Sequence, residues 1–166
     1  MLDFLDRGVS WLARLGTWLS ALLVIAMTAL VGYAVAMRYL VNRPQPWSDE
    51  LLGYLLVVVV MAAAAEALLR DEHIAIDLLT SRLSERGRRW VEAWGLAAVA
   101  LLSLVLLIGG WRMVAFSEMV GLKSEGYLAA PIHIPQAAVP IGAALLLLAA
   151  LLRLLRLLRR REGNPR

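Results

Sequence analysis

Four long runs of apolar residues, separated by polar segments, dominate the pattern of this 166-residue chain. The runs cover about residues 16–37, 48–69, 90–111 and 134–155. Each is close to the roughly 20 residues that a helix needs to cross the hydrocarbon core of a bilayer. Because backbone groups in lipid must find their hydrogen bonds within the chain, such runs form helices. The pattern therefore predicts an all-α polytopic membrane protein with four transmembrane helices, in a single membrane domain over residues 1–166.

The first fifteen residues have a different pattern. Apolar residues recur at helical spacing, while Asp3, Arg7 and Arg14 share the opposite face. We expect an amphipathic helix over residues 1–15 that lies in the membrane interface. The tripeptide at 34–36 resembles a signal-peptidase site, but the acidic residues before the apolar run and the length of that run argue against cleavage.

Aromatic and small residues give further detail within the runs. Trp18 and Tyr39 stand 21 positions apart, as do Trp90 and Trp111, which is roughly 31 Å at the rise of a helix. That separation fits two interfacial aromatic belts. Small residues occur at helical spacing in the first helix and in an Ala-rich run in the second, and they predict close helix packing in lipid. These small residues are Thr28, Gly32 and Ala36, and Ala62 to Ala65.

Polar residues gather at both ends of the second helix. Ser48 is the expected N-cap, with Asp49 and Glu50 in the first turn, where the helix dipole favours negative charge. Glu66 is the one ionisable residue well inside an apolar run, which makes it a functional candidate by default. Arg70 follows four residues later, in the favourable order for a local ion pair. A local pair and a partner- or ion-binding role both stay open for Glu66.

The basic residues are distributed unequally along the chain. The N-terminus, the second loop (70–89) and the C-terminal segment, including a basic tail over 156–166, hold 13 arginines, whereas the other two loops hold 4 arginine and lysine residues. By the positive-inside rule, both termini and the second loop lie in the cytoplasm. The corner at 47–50 then faces the outside, and His73 and Asp77 face the cytoplasm. We expect the arginines from Arg153 onward to extend into the headgroups.

Composition narrows the function classes. The chain is 61% hydrophobic, with a net charge of +4 and no cysteine, so thiolate metal sites and Cys nucleophiles are excluded. The arginines lie beside apolar runs, which indicates a membrane protein and not a nucleic-acid binder. No nucleotide-binding or nucleophile-elbow motif occurs. The two histidines, His73 and His133, fall at opposite predicted membrane faces, which argues against haem. We therefore expect no enzymatic activity, no cofactor and no metal.

Three pieces of sequence carry a family resemblance. They are RYLVN at 38–42, PWSDEL at 46–51, and HI followed by DLL at 73–79. Their order and spacing, with four predicted spans, resemble the DctQ-type small membrane subunit of tripartite ATP-independent periplasmic (TRAP) transporters. The resemblance covers the whole chain. Glu66 departs from it, because a small or apolar residue would be expected at that position.

The resemblance implies a bacterial inner-membrane subunit with no substrate site of its own. Such a subunit pairs with a large membrane subunit that carries substrate and sodium, while a periplasmic binding protein delivers an organic acid such as a C4-dicarboxylate. The small subunit would enlarge the static scaffold against which the transport domain moves. Membrane lipids are the other expected partner, and nucleic acid is not.

Seven residues are candidates for partner or scaffold contact. They are Arg38, Trp47, Asp49, Glu50, Glu66, His73 and Asp77. The resemblance implies that Trp47, Asp49 and Glu50 support the outer end of the second helix, and that His73 and Asp77 fix the cytoplasmic turn. Capping and loop order are the simpler roles for these five. Two rival functions stay open: a small proton-coupled multidrug-type exporter acting through Glu66, and a membrane anchor for a redox enzyme.

Overall fold

The computed structural model describes residues 2–70 and 85–162, and these residues form five helices and no named strand. The helices are α1 (Leu2–Tyr39), α2 (Pro46–Leu69), α3 (Glu85–Val120), α4 (His133–Gln136) and α5 (Ala138–Glu162).

Four segments are long and apolar enough to cross a membrane, which confirms the prediction of four spans. These are Arg7–Tyr39, Pro46–Leu69, Gly87–Val120 and His133–Leu157. The third helix is longer than the run at 90–111 predicts, since α3 continues through Gly109 and Gly110 without a break.

The amphipathic N-terminal segment is part of α1. The sequence predicts a separate interfacial helix over residues 1–15, whereas the structure has one unbroken helix from Leu2 to Tyr39. No proline interrupts this stretch, and a single glycine does not end a helix that is packed on a neighbour. The apolar face bearing Val9 and Ala13 is buried with Ala65 and Leu68 of α2. Other helices therefore cover the part of this face that carries Val9 and Ala13.

The long helices form an open arrangement. α2 packs between α1 and α5, and α5 packs between α2 and α3. The described helices thus follow the spatial order α1–α2–α5–α3, with α1 and α3 at the two edges. We call this arrangement the helix layer.

Small residues set the close contacts around α2, as the Ala-rich run predicts. Gly16 of α1 faces the backbone of Ala62 with no room for a side chain. On the other side of α2, a Cβ added at Gly142 of α5 would lie 2.7 Å from the Met61 carbonyl oxygen. The hydroxyl of buried Ser20 donates to the Val59 carbonyl at 2.9 Å and joins α1 to α2. Small residues therefore allow α1 and α5 to pack closely on the backbone of α2.

The other small-residue set does not pack inside this chain. Thr28 and Gly32 are exposed, and nothing lies within 4 Å of a Cβ added at Gly32. The Thr28 hydroxyl donates to the carbonyl of Val24 in its own helix at 2.9 Å. The packing predicted for this set is absent among the described residues.

Candidate functional site at the two ends of the helix layer

The polar candidates lie at opposite ends of α2. We call the end with the start of α2 the Glu50 end, and the end with its last turn the Glu66 end. Of the seven candidates, His73 and Asp77 fall outside residues 2–70 and 85–162, so only five have described positions.

The start of α2 differs from the prediction that Ser48 is the N-cap. The helix begins at Pro46 with Gln45 as N-cap, because proline fits the first helical position, where no amide hydrogen bond is needed. Ser48 is buried inside the first turn, and its hydroxyl donates to the Gln45 carbonyl at 2.6 Å. The Trp47 indole donates to Gln45 Oε1 at 2.8 Å. Through these hydrogen bonds, Trp47 and Ser48 order the corner before α2.

Glu50 binds the loop between α3 and α4. Its Oε1 accepts a hydrogen bond from the Tyr54 hydroxyl at 2.7 Å, and its Oε2 accepts one from the Leu128 amide at 3.1 Å. Gly126 packs against the same carboxylate, where a side chain would collide with it. The loop is closed on itself by the Ser124 amide, which donates to the Ala130 carbonyl at 2.8 Å. Glu50 therefore holds residues 121–132 on the start of α2.

We expect Glu50→Ala to release this loop, because the Leu128 amide and the Tyr54 hydroxyl lose their acceptor. Hydrogen exchange of residues 121–132 should rise severalfold, since the Leu128 amide is held by the Glu50 carboxylate. Asp49→Ala is the matched control, because Asp49 is exposed and makes no hydrogen bond or salt bridge with any described residue. Equal protection of the loop in both variants would contradict the role of Glu50.

Arg38 is also exposed, and no salt bridge joins it to Asp49 or Glu50 in the described part of the chain. At the Glu50 end, the structure therefore brings Trp47 and Glu50 into internal contacts. It leaves Arg38 and Asp49 free to meet another molecule.

Glu66 is buried in the last turn of α2, with only 4% of its surface exposed. Its Oε1 accepts a hydrogen bond from Arg70 Nε at 2.7 Å and lies 2.6 Å from Arg70 Nη2, which confirms the predicted local ion pair. The other oxygen, Oε2, is buried without a hydrogen-bond partner. Ala13 of α1 is buried with Ala65 and Leu68, the neighbours of Glu66 in α2. Glu66 therefore lies where α1 and α2 pack together.

A second polar connection at this end involves Arg153 of α5. Its guanidinium donates to the Leu68 carbonyl at the end of α2, and it lies 3.4 Å from Glu92 Oε1 of α3. Only 11% of the Arg153 side chain is exposed, so the prediction that it extends into the headgroups is wrong. The free carbonyl at the end of α2 and the Glu92 carboxylate supply acceptors within the protein.

Sequence reasoning missed the pair of Arg153 and Glu92. The only sequence signal for this pair is that both charged residues fall inside predicted spans. Arg153 lies in the last span, one turn before the basic tail, and Glu92 lies in the third span. Metal ligation receives no support here, because no three His, Asp or Glu side chains of the described ranges form a group that could hold an ion.

The outer surfaces of the helix layer are apolar along its length. Large exposed side chains on α1 and α3 include Trp18, Leu22, Ile25, Trp94, Leu101 and Val105. A surface of this size must be covered by lipid or by another membrane protein. Glu50, Glu66 and Arg153 bind the chain's own helices and loop.

These features define a multi-pass helical membrane protein. Its sequence matches the family of tripartite ATP-independent periplasmic transporters, DctQ component, over residues 27–160. The chain belongs to this family, whose members are transporter permease subunits of the inner membrane and not a class of enzyme.

Curated relatives agree with this assignment. The chain is 30% identical to the C4-dicarboxylate TRAP transporter small permease protein DctQ of Vibrio cholerae, over 82% of this chain and 71% of that protein. It is 26% identical to the sialic acid TRAP transporter small permease protein SiaQ of Vibrio cholerae, over 60% of each chain. It is 29% identical to the sialic acid TRAP transporter permease protein SiaT of Haemophilus influenzae, over 52% of this chain and 14% of that protein.

Proposed function

We propose that this chain is the scaffold partner of a large permease subunit in sodium-coupled, binding-protein-dependent uptake of an organic acid. The observation that carries the proposal is the family match over residues 27–160. The helix layer supports it, because Glu50, Glu66 and Arg153 bind within the chain and the outer faces are apolar. Such a chain is suited to packing against a second membrane protein.

Two similarities support the partner and the substrate class. The 86 residues aligned with SiaT make up only 14% of that permease protein, so the counterpart of this segment is joined there to a much larger polypeptide. The relatives are named for C4-dicarboxylate and for sialic acid. Both are carboxylic acids, and a C4-dicarboxylate is our preferred substrate because the DctQ relative aligns over more of the chain.

The proposed orientation follows from the distribution of arginine. The Glu50 end would face the periplasm, where Arg38, Asp49 and the loop 121–132 are accessible to the large subunit or the binding protein. The Glu66 end would face the cytoplasm with both termini.

An exporter acting through Glu66 is the second candidate, favoured only by the carboxylate buried in a membrane span. The ion pair with Arg70 supports a structural role for Glu66 instead.

Purification of the tagged chain from its native membrane in mild detergent tests the proposal. We expect a much larger multi-span permease in a one-to-one ratio, and loss of binding-protein-dependent organic-acid uptake when this chain is deleted. A homodimer without a large partner, together with unchanged uptake, would refute the scaffold function.

A further inference from the structure

Two arginines on neighbouring helices lie beside one buried carboxylate at the Glu66 end. Arg70 is paired with Glu66 Oε1 at 2.6 Å. Arg14 of α1 follows Ala13, which is buried with Ala65, the residue before Glu66, and Arg14 makes no hydrogen bond or salt bridge within the described residues. Two positive charges and one negative charge leave this group with a net charge of +1. Exposed groups with a net positive charge attract anions.

Both guanidinium groups have donors left for such an anion. An arginine carries five N–H donors, and Arg70 directs Nε and Nη2 at Glu66, leaving other N–H groups on a side chain that is 59% exposed. Arg14 is exposed as well. The planar fork of a guanidinium fits the oxygens of a phosphate group.

The neighbourhood of Arg14 sets the depth of this group in the membrane. Trp11 and Trp18 lie three residues before and four residues after Arg14, so the three side chains share one face of α1. Both tryptophans are exposed, at 62% and 76%. Exposed tryptophans of a membrane helix lie at headgroup level. The arginines are therefore at the depth where phospholipid phosphates are found.

We propose that Arg14 and Arg70 form a binding site for the phosphate of an anionic membrane phospholipid. Both guanidinium groups donate to the phosphate, and Trp11 and Trp18 contact the lipid beside it. Glu66 is a positioning residue: it aligns the guanidinium groups from behind without touching the lipid. This site is a property of the chain itself and does not depend on the proposed transport function.

Native mass spectrometry of the full chain in mixed micelles tests the site, with phosphatidylglycerol and phosphatidylcholine as the two probes. We expect phosphatidylglycerol to be retained more strongly than phosphatidylcholine. Arg14→Gln should lower its apparent affinity roughly fivefold, the effect of about one basic residue at an anionic lipid surface. Arg14→Gln leaves the pair of Glu66 and Arg70 intact, so the fold is retained. Equal retention of the two lipids by the unmodified chain would overturn the proposal.

Arg88→Gln is the matched control, because Arg88 is an exposed arginine near the start of α3, at the same end of the layer. Its affinity for phosphatidylglycerol should stay unchanged. An equal loss in Arg88→Gln and Arg14→Gln would show diffuse attraction to the basic end and would refute a defined site.

Glu66→Gln and inorganic phosphate separate the remaining explanations. Glu66→Gln removes a negative charge, so diffuse attraction predicts tighter binding of phosphatidylglycerol. The site predicts weaker binding, because the guanidinium groups lose their alignment. Added inorganic phosphate should not displace the lipid. Displacement by phosphate alone would identify a free-anion site and would overturn the assignment to a lipid.

Discussion

Gly142→Ala should destabilise the chain by about 1–3 kcal/mol, the usual cost of an overpacked core. The new methyl group would lie 2.6 Å from Met61 Cβ and 2.7 Å from the Met61 carbonyl oxygen, and the backbone of α2 cannot move aside without separating α2 from α5. Gly16→Ala should have a similar effect on the contact between α1 and α2, where the Ala62 carbonyl blocks the added methyl group. Thermal unfolding of the purified chain in detergent, followed by circular dichroism, measures both.

Gly32→Ala is the control for both substitutions. Gly32 is also in the middle of a helix, but nothing lies within 4 Å of an added Cβ. The unfolding temperature of this variant should stay the same or rise slightly, because alanine favours helix over glycine. A comparable loss of stability in Gly32→Ala would show that the effect does not depend on the close approach at α2.

Arg70→Gln should destabilise the chain by roughly 1–3 kcal/mol, the cost of leaving a buried polar group without its hydrogen bonds. The loss is smaller than for a fully buried ion pair, because the Arg70 side chain is 59% exposed. The variant leaves the Glu66 carboxylate charged and buried in the last turn of α2. Adding Glu66→Gln to Arg70→Gln should recover most of this loss, since no buried charge is left. The same unfolding measurement on the two single variants and the double variant gives the coupling energy.

Glu66→Gln also separates the two candidate functions when uptake is measured in cells. A scaffold subunit with this substitution should still support uptake, because the carboxylate serves packing and not proton transfer. Complete loss of transport with normal assembly would instead favour the exporter.

For the stability measurement, additive effects of Arg70→Gln and Glu66→Gln would contradict the pairing of Glu66 with Arg70.

The interactions that were predictable from sequence are local ones. Four apolar runs specify four spans, and Glu66 and Arg70 are separated by one helical turn, so their pairing needs no knowledge of the fold. The alanine run at 62–65 likewise predicts a close helix contact. Only the structure shows that Gly16 and Gly142 are the residues that pack against this part of α2.

The interactions that were missed join distant parts of the chain. The Leu128 amide reaches Glu50 across 78 positions, and Arg153 reaches the Leu68 carbonyl across 85. The residue types of Leu128 and Leu68 do not predict these contacts, because both bond through the backbone. Every residue but proline has an amide, and every helix end has free carbonyls. The change from an amphipathic to an apolar pattern near Gly16 was also misleading. It marks a change in what covers α1, while the helix itself continues.

The distribution of tryptophan and arginine along the helix layer has a mechanical consequence. A displacement along the membrane normal would draw Trp18 and Trp90 out of one interface, or carry Arg14 and Arg70 into the hydrocarbon, at about 2.5–3.5 kcal/mol for each charge that reaches the centre. These opposing costs create a restoring force that fixes the height of the layer in the bilayer. A chain held in this way can act as a stator, against which an attached transport domain could travel without carrying its support along.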